Sequence, residues 1–359
     1  MVKSIVLFIP SIERAGVEKN LFLISNYLSK KFNKVFIITA NTDYKYNFDK
    51  NISVICPSSN KWIRKSRSIK TLISIVLLIK NFFNKRVLVL SFQSNILAIL
   101  VSKLLNFSII IRLNTSTKKY IKGYTKKILF KFIYKLADEI VVNSIFFKKE
   151  LKNQFKLKST LIYNSFKSSN NKKNIKYFKN FKGLKILNIG RLTHQKDQIT
   201  LLKSLNLLNK SKLKFKCCII GDGDKKKYLE NYINLNKLNK IVKLVGYKSN
   251  AENYLSNCDL FILTSKFEGL PNVLIEAQSK NIPIISSDCP TGPKEILLKG
   301  KLGDLFKVGD YKKLFHLILK FSKNKKILLN KTRKAKKHLK RFDFKINSEK
   351  YYKIISNYN

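Results

Sequence analysis

Apolar and polar residues alternate along the chain in two patterns, one of strand length and one of helix length. Short runs rich in β-branched residues predict strands at 5–9, 35–39, 87–91, 108–112, 139–143 and 160–163. Longer amphipathic stretches between most of these runs predict helices at 16–31, 69–83, 95–105 and 121–136. Apolar strands that alternate with helices are typical of a parallel sheet covered on both faces. The first half is therefore expected to form a doubly wound α/β domain.

A second series of the same kind follows a polar, lysine-rich stretch at 167–182 that lacks apolar periodicity and is typical of a linker. Strands are predicted at 184–189, 215–220, 241–245, 260–263 and 283–287, and helices at 199–208, 226–235 and 272–280. The predicted organisation is a first domain over 1–167, a linker over 168–182 and a second domain over 183–340. Residues 341–359 are helical in pattern and are expected to pack back on the first domain.

The longest apolar stretches of the first half are too short to cross a membrane. Residues 71–79 are bracketed by Lys70 and Lys80, and residues 95–111 are interrupted by Lys103 and Asn106. A spanning helix needs about 20 apolar residues, so we interpret both stretches as buried helices and strands of a globular domain.

Two further observations predict a cytoplasmic protein. The apolar run at 5–9 is shorter than the core of a signal peptide, and no small-residue cleavage site follows it. The five cysteines form no C-x-x-C pair, which favours a reducing compartment and disfavours a thiolate zinc cluster.

The charge balance is strongly basic. Lys and Arg number 73 against 21 Asp and Glu in 359 residues, which gives a net charge of +52, and only eight of the 73 are Arg. This lysine bias, together with abundant Asn, Ile, Phe and Tyr, is what an AT-rich coding sequence produces. The basic runs at 61–70, 118–135 and 320–341 are consistent either with solvated faces or with docking on an anionic membrane surface. A nucleic-acid-binding protein is disfavoured, because the charge is diffuse and no recognised binding module is present.

Glycine and proline, scarce elsewhere, gather around the predicted strand ends of the second domain. Four of the six prolines lie within residues 271–293, close to Gly269 and Gly292, while Gly190, Gly221 and Gly246 each follow a predicted strand. Open α/β sheets bind ligands at the carboxyl ends of their strands. The second domain is therefore expected to bind a molecule of cofactor size.

Two carboxylates accompany one of these strand ends. Glu268 is predicted to lie in a loop facing the ligand crevice, and Glu276 one turn into the helix that begins near Asn272. The start of a helix offers unpaired N–H groups to an anion, and carboxylates suit hydroxyl-rich ligands because they accept paired hydrogen bonds.

The segment 190–197 follows a buried strand and precedes a helix. Arg191 and Lys196 are placed to converge on a diphosphate, the guanidinium as a bidentate fork and the ammonium as a point charge. His194 in the same loop is interpreted as an exposed side chain rather than a general base.

Two other loops suggest anion or metal chemistry. The segment 287–296 is predicted to be a rigid loop that brings the Gly292 backbone near an anion and leads into a helix with Glu295 in its first turn. Asp222 and Asp224 form an Asp-x-Asp pair, a pattern that holds a divalent metal in some transferases. Because the pair directly follows a strand, we expect it to serve the turn and the cap of the next helix instead.

Taken together, the motifs at 190–196, 219–223, 244–246, 268–276 and 287–295 resemble the retaining GT-B glycosyltransferases of family 4, the glycosyltransferase group 1 family. The resemblance covers about residues 184–300, with the motifs in order and suitably separated. The first half is more loosely similar, because a strand at 5–9 and the segment 13–20 resemble the family's glycine loop, with Ala15-Gly16 in place of the usual double glycine. The implied fold is two Rossmann-like doubly wound domains facing across a cleft.

The resemblance also implies roles for individual residues. Arg191 and Lys196 would bind the donor diphosphate and stabilise its charge as it leaves, while Glu268 would bind the donor sugar hydroxyls; these three are the expected catalytic residues. Glu276 would bind the ribose. The remaining donor-binding positions would act mainly through backbone groups or close approach, and they are Gly16, Gly190, Gly246, Tyr247, Gly269, Leu270 and Asn272. Members of the family need neither metal nor cofactor, because cationic side chains and a helix dipole neutralise the diphosphate.

The acceptor side is less defined by sequence. Many family members carry a histidine in the first domain, but the three histidines here, His194, His316 and His338, all lie in the second half. Residues 91–95 occupy the comparable strand end. The function implied is transfer of a sugar from a nucleotide-diphosphate-sugar to a glycan acceptor, lipid-linked, in the biosynthesis of surface polysaccharide, lipopolysaccharide or glycoconjugates. The enzyme would be cytoplasmic and peripheral on the inner face of the cell membrane. A nucleotide-sugar epimerase of the same fold is the principal alternative.

Overall fold

In a computed structural model the chain forms two compact units. Unit 1 combines residues 1–165 with 341–359, and unit 2 comprises residues 166–340. The structure describes residues 4–12, 16–41, 48–117, 121, 123–167, 173–249 and 251–358. The linker predicted at 168–182 lies partly outside these residues.

Unit 1 is built on a parallel sheet that has seven strands among the described residues. The strands are β1 (Ser4–Phe8), β2 (Val35–Ile38), β3 (Ile52–Ile55), β4 (Val87–Ser91), β5 (Ser108–Leu113), β6 (Glu139–Val142) and β7 (Thr160–Leu161). The helices of this part of the chain are α1 (Gly16–Leu28), α2 (Arg67–Phe82), α3 (Asn95–Leu104), α4 (Tyr124–Lys135) and α5 (Ile145–Glu150). The strand order is β3-β2-β1-β4-β5-β6-β7. The chain builds the sheet outward from β1 on one side and from β4 on the other, as in doubly wound Rossmann-like sheets.

Unit 2 repeats this plan with six parallel strands in the residues that are described. The strands are β8 (Leu184–Ile189), β9 (Phe215–Ile220), β10 (Val242–Gly246), β11 (Leu260–Leu263), β12 (Ile284–Ser287) and β13 (Asp304–Phe306), in the order β10-β9-β8-β11-β12-β13. The helices are α6 (Gln198–Asn209), α7 (Lys226–Leu235), α8 (Asn272–Ser279), α9 (Pro293–Ile296), α10 (Tyr311–Lys323) and α11 (Lys325–His338).

A last helix, α12 (Phe344–Ser356), returns to unit 1. Successive side chains of β1 point to opposite faces of the sheet. Ile5 and Leu7 pack in the layer that contains α1 and α12, and Val6 and Phe8 pack in the layer of α2, α3 and α4. Tyr351 of α12 is fully buried in the first of these layers. The sheet of unit 1 is thus covered on both faces.

Several expected elements differ in the structure. Two short edge strands, β3 and β13, were not predicted. The basic stretch at 320–341 is broken at Asn324, whose side chain accepts a hydrogen bond from the Lys326 N–H (3.2 Å) and caps α11. Gly246 lies inside β10, where the pairing with β9 shifts register, rather than after the strand.

The interpretation of residues 71–79 as a buried helix is only half right. One face of α2 is buried, but Leu72 and Val76 on its other face are 60% and 61% exposed. Within the described residues, no helix combines the length and apolar character needed to cross a membrane.

Candidate functional site

The predicted donor-site residues of unit 2 meet at the carboxyl ends of neighbouring strands. The loop after β8 carries Arg191 and Lys196, the loop after β11 carries Glu268 and Gly269, and the loop after β12 carries Gly292. Since β8, β11 and β12 are adjacent in the sheet, their carboxyl ends form one edge.

Lys196 and Glu268 form a shielded ion pair at this edge. Lys196 Nζ lies 2.6 Å from Glu268 Oε1, and the side chains are only 15% and 7% exposed. Ser265 Oγ donates to the same carboxylate oxygen at 2.6 Å. Both bonds end on Oε1, so Oε2 can accept from a ligand, and an ammonium group has two more protons to donate.

The loops on either side of this pair are tied together through backbone groups. Gln195 contributes most, because its side-chain N–H donates to the Phe267 carbonyl (3.0 Å) and its own carbonyl accepts from the Lys266 N–H (2.8 Å). The Thr264 hydroxyl donates to the Lys196 carbonyl at 2.9 Å. These bonds hold Lys196 and Glu268 at a fixed distance, which favours a preformed site.

The third loop is fastened to the second in the same manner. Ser287 Oγ donates to the Ser265 carbonyl at 2.6 Å, and the Thr291 hydroxyl donates to the Glu268 carbonyl. Gly292 has φ +73°, and a Cβ at this position would lie 2.2 Å from the Gly269 carbonyl oxygen. Only glycine permits this close approach of the two backbones.

A hydrogen bond fixes the backbone of Arg191, and the residue is exposed to solvent. Its carbonyl accepts a hydrogen bond from Gln198 Nε2 at 3.0 Å, and the guanidinium side is exposed to solvent. Gly190 gives Lys196 room, because a Cβ there would lie 3.3 Å from Lys196 Cδ. Both cations therefore stand on the loop that follows β8.

The residues predicted to bind the sugar and ribose flank the start of α8. This helix begins at Asn272 after Pro271, whose side chain provides no cap, and the Leu274 N–H donates to the Pro271 carbonyl at 3.1 Å. Leu270 and Glu276 are both buried, at 6% and 7% exposure.

Gly246 and Tyr247, the residues predicted to border the base, lie at the carboxyl end of β10, the strand that pairs with β9. Gly246 has φ +76° and its carbonyl accepts from the Gly221 N–H at 3.0 Å. Tyr247 is 44% exposed. Gly16 is the first residue of α1 in unit 1, and the preceding glycine-loop residues 13–15 lie outside the described chain.

The Asp-x-Asp motif forms a turn. Asp222 Oδ1 accepts the Gly223 N–H at 2.9 Å, as expected for a turn residue. The expected capping role is wrong, because α7 is preceded by Lys225 and has no side-chain cap. Over the described ranges, no three His, Cys, Asp or Glu side chains come together as metal ligands.

The sequence predicts no role for three residues of the site. Ser265 and Thr291 are small hydroxyl residues, the second within the motif at 287–296, and both donate to Glu268. Cys289 is buried beside them, and desolvation, followed by the nearby Glu268 charge, raises the pKa of its thiol to about 12. This thiol is neutral at physiological pH and packs as an apolar group.

In the first unit, the strand end predicted to serve the acceptor is occupied by structural contacts. Gln93 accepts from the Ser11 N–H (3.1 Å) and donates to the Ser11 carbonyl (2.8 Å). Ser91 donates to Asn95 Oδ1 at 2.8 Å. The two Gln93 bonds fasten the loop after β4 to the loop after β1, and the Ser91 bond fixes the start of α3.

Comparison with known proteins shows which proteins the second unit resembles. The sequence profile of the family "Glycosyl transferases group 1" matches residues 169–339. Unit 2 therefore resembles the group 1 glycosyltransferase domains. Its boundaries in the profile nearly coincide with those of the compact unit at 166–340.

Glycosyltransferases of bacteria and archaea are similar to this chain in sequence. An uncharacterized glycosyltransferase of Methanocaldococcus jannaschii is 36% identical over 51% of this chain and 48% of its own, so the match spans about half of that relative. The amylovoran biosynthesis glycosyltransferase AmsD of Erwinia amylovora is 28% identical over 83% of this chain and 84% of its own. A Campylobacter jejuni 4-alpha-N-acetylgalactosaminyltransferase named for a diphospho-undecaprenol substrate is 27% identical over 63% of this chain and 62% of its own.

A solved structure extends the similarity to both units. HepE of Anabaena, crystallised with UDP, has a TM-score of 0.79 and 16% identity over 99% of this chain and 100% of its own. Units 1 and 2 therefore have the GT-B fold, with two Rossmann-like units.

Proposed function

We propose that this protein is a retaining, metal-independent glycosyltransferase that moves a sugar from a nucleotide-diphosphate-sugar to a lipid-linked glycan acceptor. The reaction would belong to the biosynthesis of a surface polysaccharide or glycoconjugate. The observation that carries the proposal is the shielded Lys196–Glu268 pair (2.6 Å) on the same sheet edge as Arg191.

The pair suits a donor that presents phosphates next to sugar hydroxyls. Lys196 would keep one N–H bond to Glu268 and direct the others at the diphosphate, while Arg191 would reach the same oxygens as a fork. Glu268 Oε2 would accept from a hydroxyl of the sugar. A cation and an anion side by side thus match the two chemically different parts of the donor.

Arg191 and Lys196 would stabilise the negative charge that develops on the diphosphate as the glycosidic bond breaks. The acceptor hydroxyl would attack from the face that the diphosphate leaves, and a phosphate oxygen of the leaving group would take its proton. This path retains the anomeric configuration without a protein nucleophile. Glu268 then acts by positioning the sugar, not by forming a bond to it.

The relatives support the substrate classes. AmsD is named for amylovoran biosynthesis, the Campylobacter jejuni enzyme for a diphospho-undecaprenol substrate, and HepE was crystallised with UDP. We extend these classes to the present protein: a UDP-type donor, an acceptor carried on a polyprenyl diphosphate, and residence on the inner face of the cell membrane.

The proposal is tested by donor turnover in two variants. Arg191→Ala and Lys196→Ala should each lower turnover by on the order of 10²–10³, the scale of lost transition-state donors. Arg191→Lys should recover only part of the loss, since an ammonium cannot form the bidentate bond. Lys331→Ala is the control. Lys331 lies on α11 and pairs with Asp304 at 2.5 Å, away from the loops that carry Arg191, Lys196 and Glu268.

Near-normal turnover in the double variant of Arg191 and Lys196 would refute the assignment. The anomeric configuration of the product, followed by NMR, tests retention separately. Incubation of the donor without acceptor distinguishes transfer from epimerisation, since only an epimerase converts the nucleotide-sugar into its isomer.

A further inference from the structure

The face of unit 1 formed by α2, α3 and α4 exposes an unusual amount of apolar side chain. Among the described residues, twenty large apolar side chains are exposed, and fourteen of them lie on these three helices or one residue beyond their ends. They are Ile69, Leu72, Val76, Ile79, Phe83, Ile96, Leu97, Leu100, Leu104, Tyr124, Ile128, Leu129, Phe132 and Leu136. We refer to this set as the apolar face.

The apolar face follows the helical repeat. The five residues from α2 recur at intervals of three and four, so they form one stripe along the helix. The opposite side of α2, with Leu78 and Phe82, packs against the sheet. A helix that is apolar on two sides has one face in the core and needs a second apolar environment for the other.

The three helices lie next to one another. All three pack on the same side of the sheet through Leu78, Ala98 and Phe130. The Thr71 hydroxyl of α2 lies 2.7 Å from that of Ser94, which precedes α3, and α3 packs against α4. The three stripes therefore lie on the same side of unit 1, on the outside of the helices that cover its sheet.

Positive charge surrounds the apolar face, and the sequence contains no acidic residue between Asp49 and Asp138. On α4, four exposed lysines alternate with the exposed apolar residues: Lys126, Lys127, Lys131 and Lys135. Long lysine side chains extend their ammonium groups toward phosphates while their stems cover apolar surface. Apolar residues interleaved with lysine are typical of helices that lie in the interface of an anionic membrane.

We propose that the apolar face docks on a bilayer that contains anionic lipids, with its apolar side chains entering the boundary between headgroups and acyl chains. The lysines of α4 contact the headgroup phosphates. A second copy of the chain is a poorer occupant, since a two-fold contact would bring these lysines close to one another, and protein interfaces are depleted of lysine at their centre. The proposal is independent of the donor site, which lies in unit 2.

Insertion distinguishes this proposal from attachment by charge alone. Electrostatic binding is screened over a Debye length of about 4 Å in 0.5 M salt, whereas the burial of apolar side chains persists. We therefore expect binding to anionic vesicles that weakens with salt but reaches a plateau instead of disappearing.

The test is co-sedimentation of the full chain with vesicles of phosphatidylcholine, pure or with about one third phosphatidylglycerol. The combined variant Leu72→Gln, Val76→Gln and Phe132→Gln should lower binding to anionic vesicles on the order of tenfold or more, including the part that resists salt. These three side chains are 60%, 61% and 67% exposed, so the fold is expected to tolerate the changes, and the circular dichroism spectrum checks this.

The matched control removes exposed apolar side chains elsewhere. Tyr228, Leu235 and Ile327 are 54%, 83% and 43% exposed on α7 and α11 of unit 2, and their combined change to Gln should alter binding less than about twofold. Changing the four lysines of α4 to Gln should instead remove most of the preference for anionic vesicles, on the order of 10².

A second readout reports insertion directly. Tryptophan placed at Phe132, with Trp62 changed to Phe, should be quenched by brominated acyl chains. Equal sedimentation of the wild type and the Leu72, Val76 and Phe132 variant would overturn the proposal, as would absence of binding to either vesicle. Dimerisation of the wild type that this variant abolishes, without vesicle binding, would assign the face to a second copy. Absence of vesicle binding would also count against the proposed residence at the membrane, but none of these outcomes bears on donor turnover, so the docking of the apolar face and the assignment of the donor site fail separately.

Discussion

The ion pair of Lys196 and Glu268 predicts a loss of stability that accompanies the loss of activity. Lys196→Ala removes the cation that lies 2.6 Å from a carboxylate exposed by only 7%. Removing one partner of a buried pair costs about 3–5 kcal/mol. Because the Lys196 side chain is 15% exposed and Ser265 still donates to Glu268, we expect about 2–4 kcal/mol here.

Scanning calorimetry measures this loss. For a unit of this size, about 2–4 kcal/mol corresponds to a fall of about 5–12 °C in the transition midpoint of unit 2. The second change Glu268→Gln in the Lys196→Ala background should restore at least half of the fall, because a neutral amide no longer leaves an uncompensated charge.

The matched control is Lys294→Ala. Lys294 Nζ lies 2.8 Å from Asp288 Oδ2, nearly the same separation, but the two side chains are 55% and 30% exposed. An exposed pair contributes about 0–1 kcal/mol, so this variant should melt close to the wild type. Equal midpoints for Lys196→Ala and Lys294→Ala, or a further fall on adding Glu268→Gln, would refute the reasoning.

Three other predictions concern the same unit. Gly292→Ala should destabilise unit 2 by about 2 kcal/mol more than Gly309→Ala in thermal melts. Both glycines have a left-handed φ, but only a Cβ at position 292 would overlap a carbonyl oxygen, since the space around Gly309 is open. Turnover should survive excess EDTA, and Asp224→Ala should cost less than about 0.5 kcal/mol; restoration of lost activity by Mn²⁺ would contradict this. The pKa of Cys289 is raised to about 12 from 9.0, so its contribution to stability is present below pH 9 and lost as pH rises toward 12. Urea midpoints should therefore fall between pH 9 and pH 10.5, and less so in Cys289→Ala; equal slopes would exclude this thiol as a cause.

The sequence pattern predicts the strands of the core well because their apolar runs are long and their flanks polar. Residues 87–91, 184–189, 215–220 and 260–263 are strands in the structure with those limits. The edge strands β3 and β13 escape prediction because they are short: Ile52–Ile55 is buried mainly at its first residue, and Asp304–Phe306 has three residues. Such strands form through pairing with a neighbour, which periodicity does not reveal.

The sequence likewise predicts which loops carry the residues of the candidate site, but not the contacts between them. Motifs locate Arg191, Lys196 and Glu268 on loops after strands, because strand ends are visible in the sequence. That Lys196 and Glu268 touch each other depends on the adjacency of β8 and β11, which are 70 or more residues apart in the chain. The support from Ser265 and Thr291 depends on the same adjacency. The roles of these residues toward a donor stay predictions.

The apolar face shows a second feature that the sequence pattern does not predict, namely which side of a helix is buried. Periodicity detects an apolar stripe on a helix but does not say which of two stripes faces the sheet. For α2 the buried stripe includes Thr71 and Ser74, whereas the exposed stripe includes Leu72 and Val76. Hydrophobicity alone would place the stripe with Leu72 and Val76 against the sheet and the stripe with Thr71 and Ser74 in solvent.

The return of α12 to unit 1 sets an order for making the protein. Tyr351 and Ile355 of this helix complete the layer that covers Leu21 and Ile24 of α1, yet all of unit 2 is synthesised in between. As the chain leaves the ribosome, unit 2 is continuous and can fold by itself, while one side of the sheet made before it is covered by α1 without α12. Unit 1 is thus begun before unit 2 and finished after it, and it is the unit that needs protection from aggregation while translation proceeds.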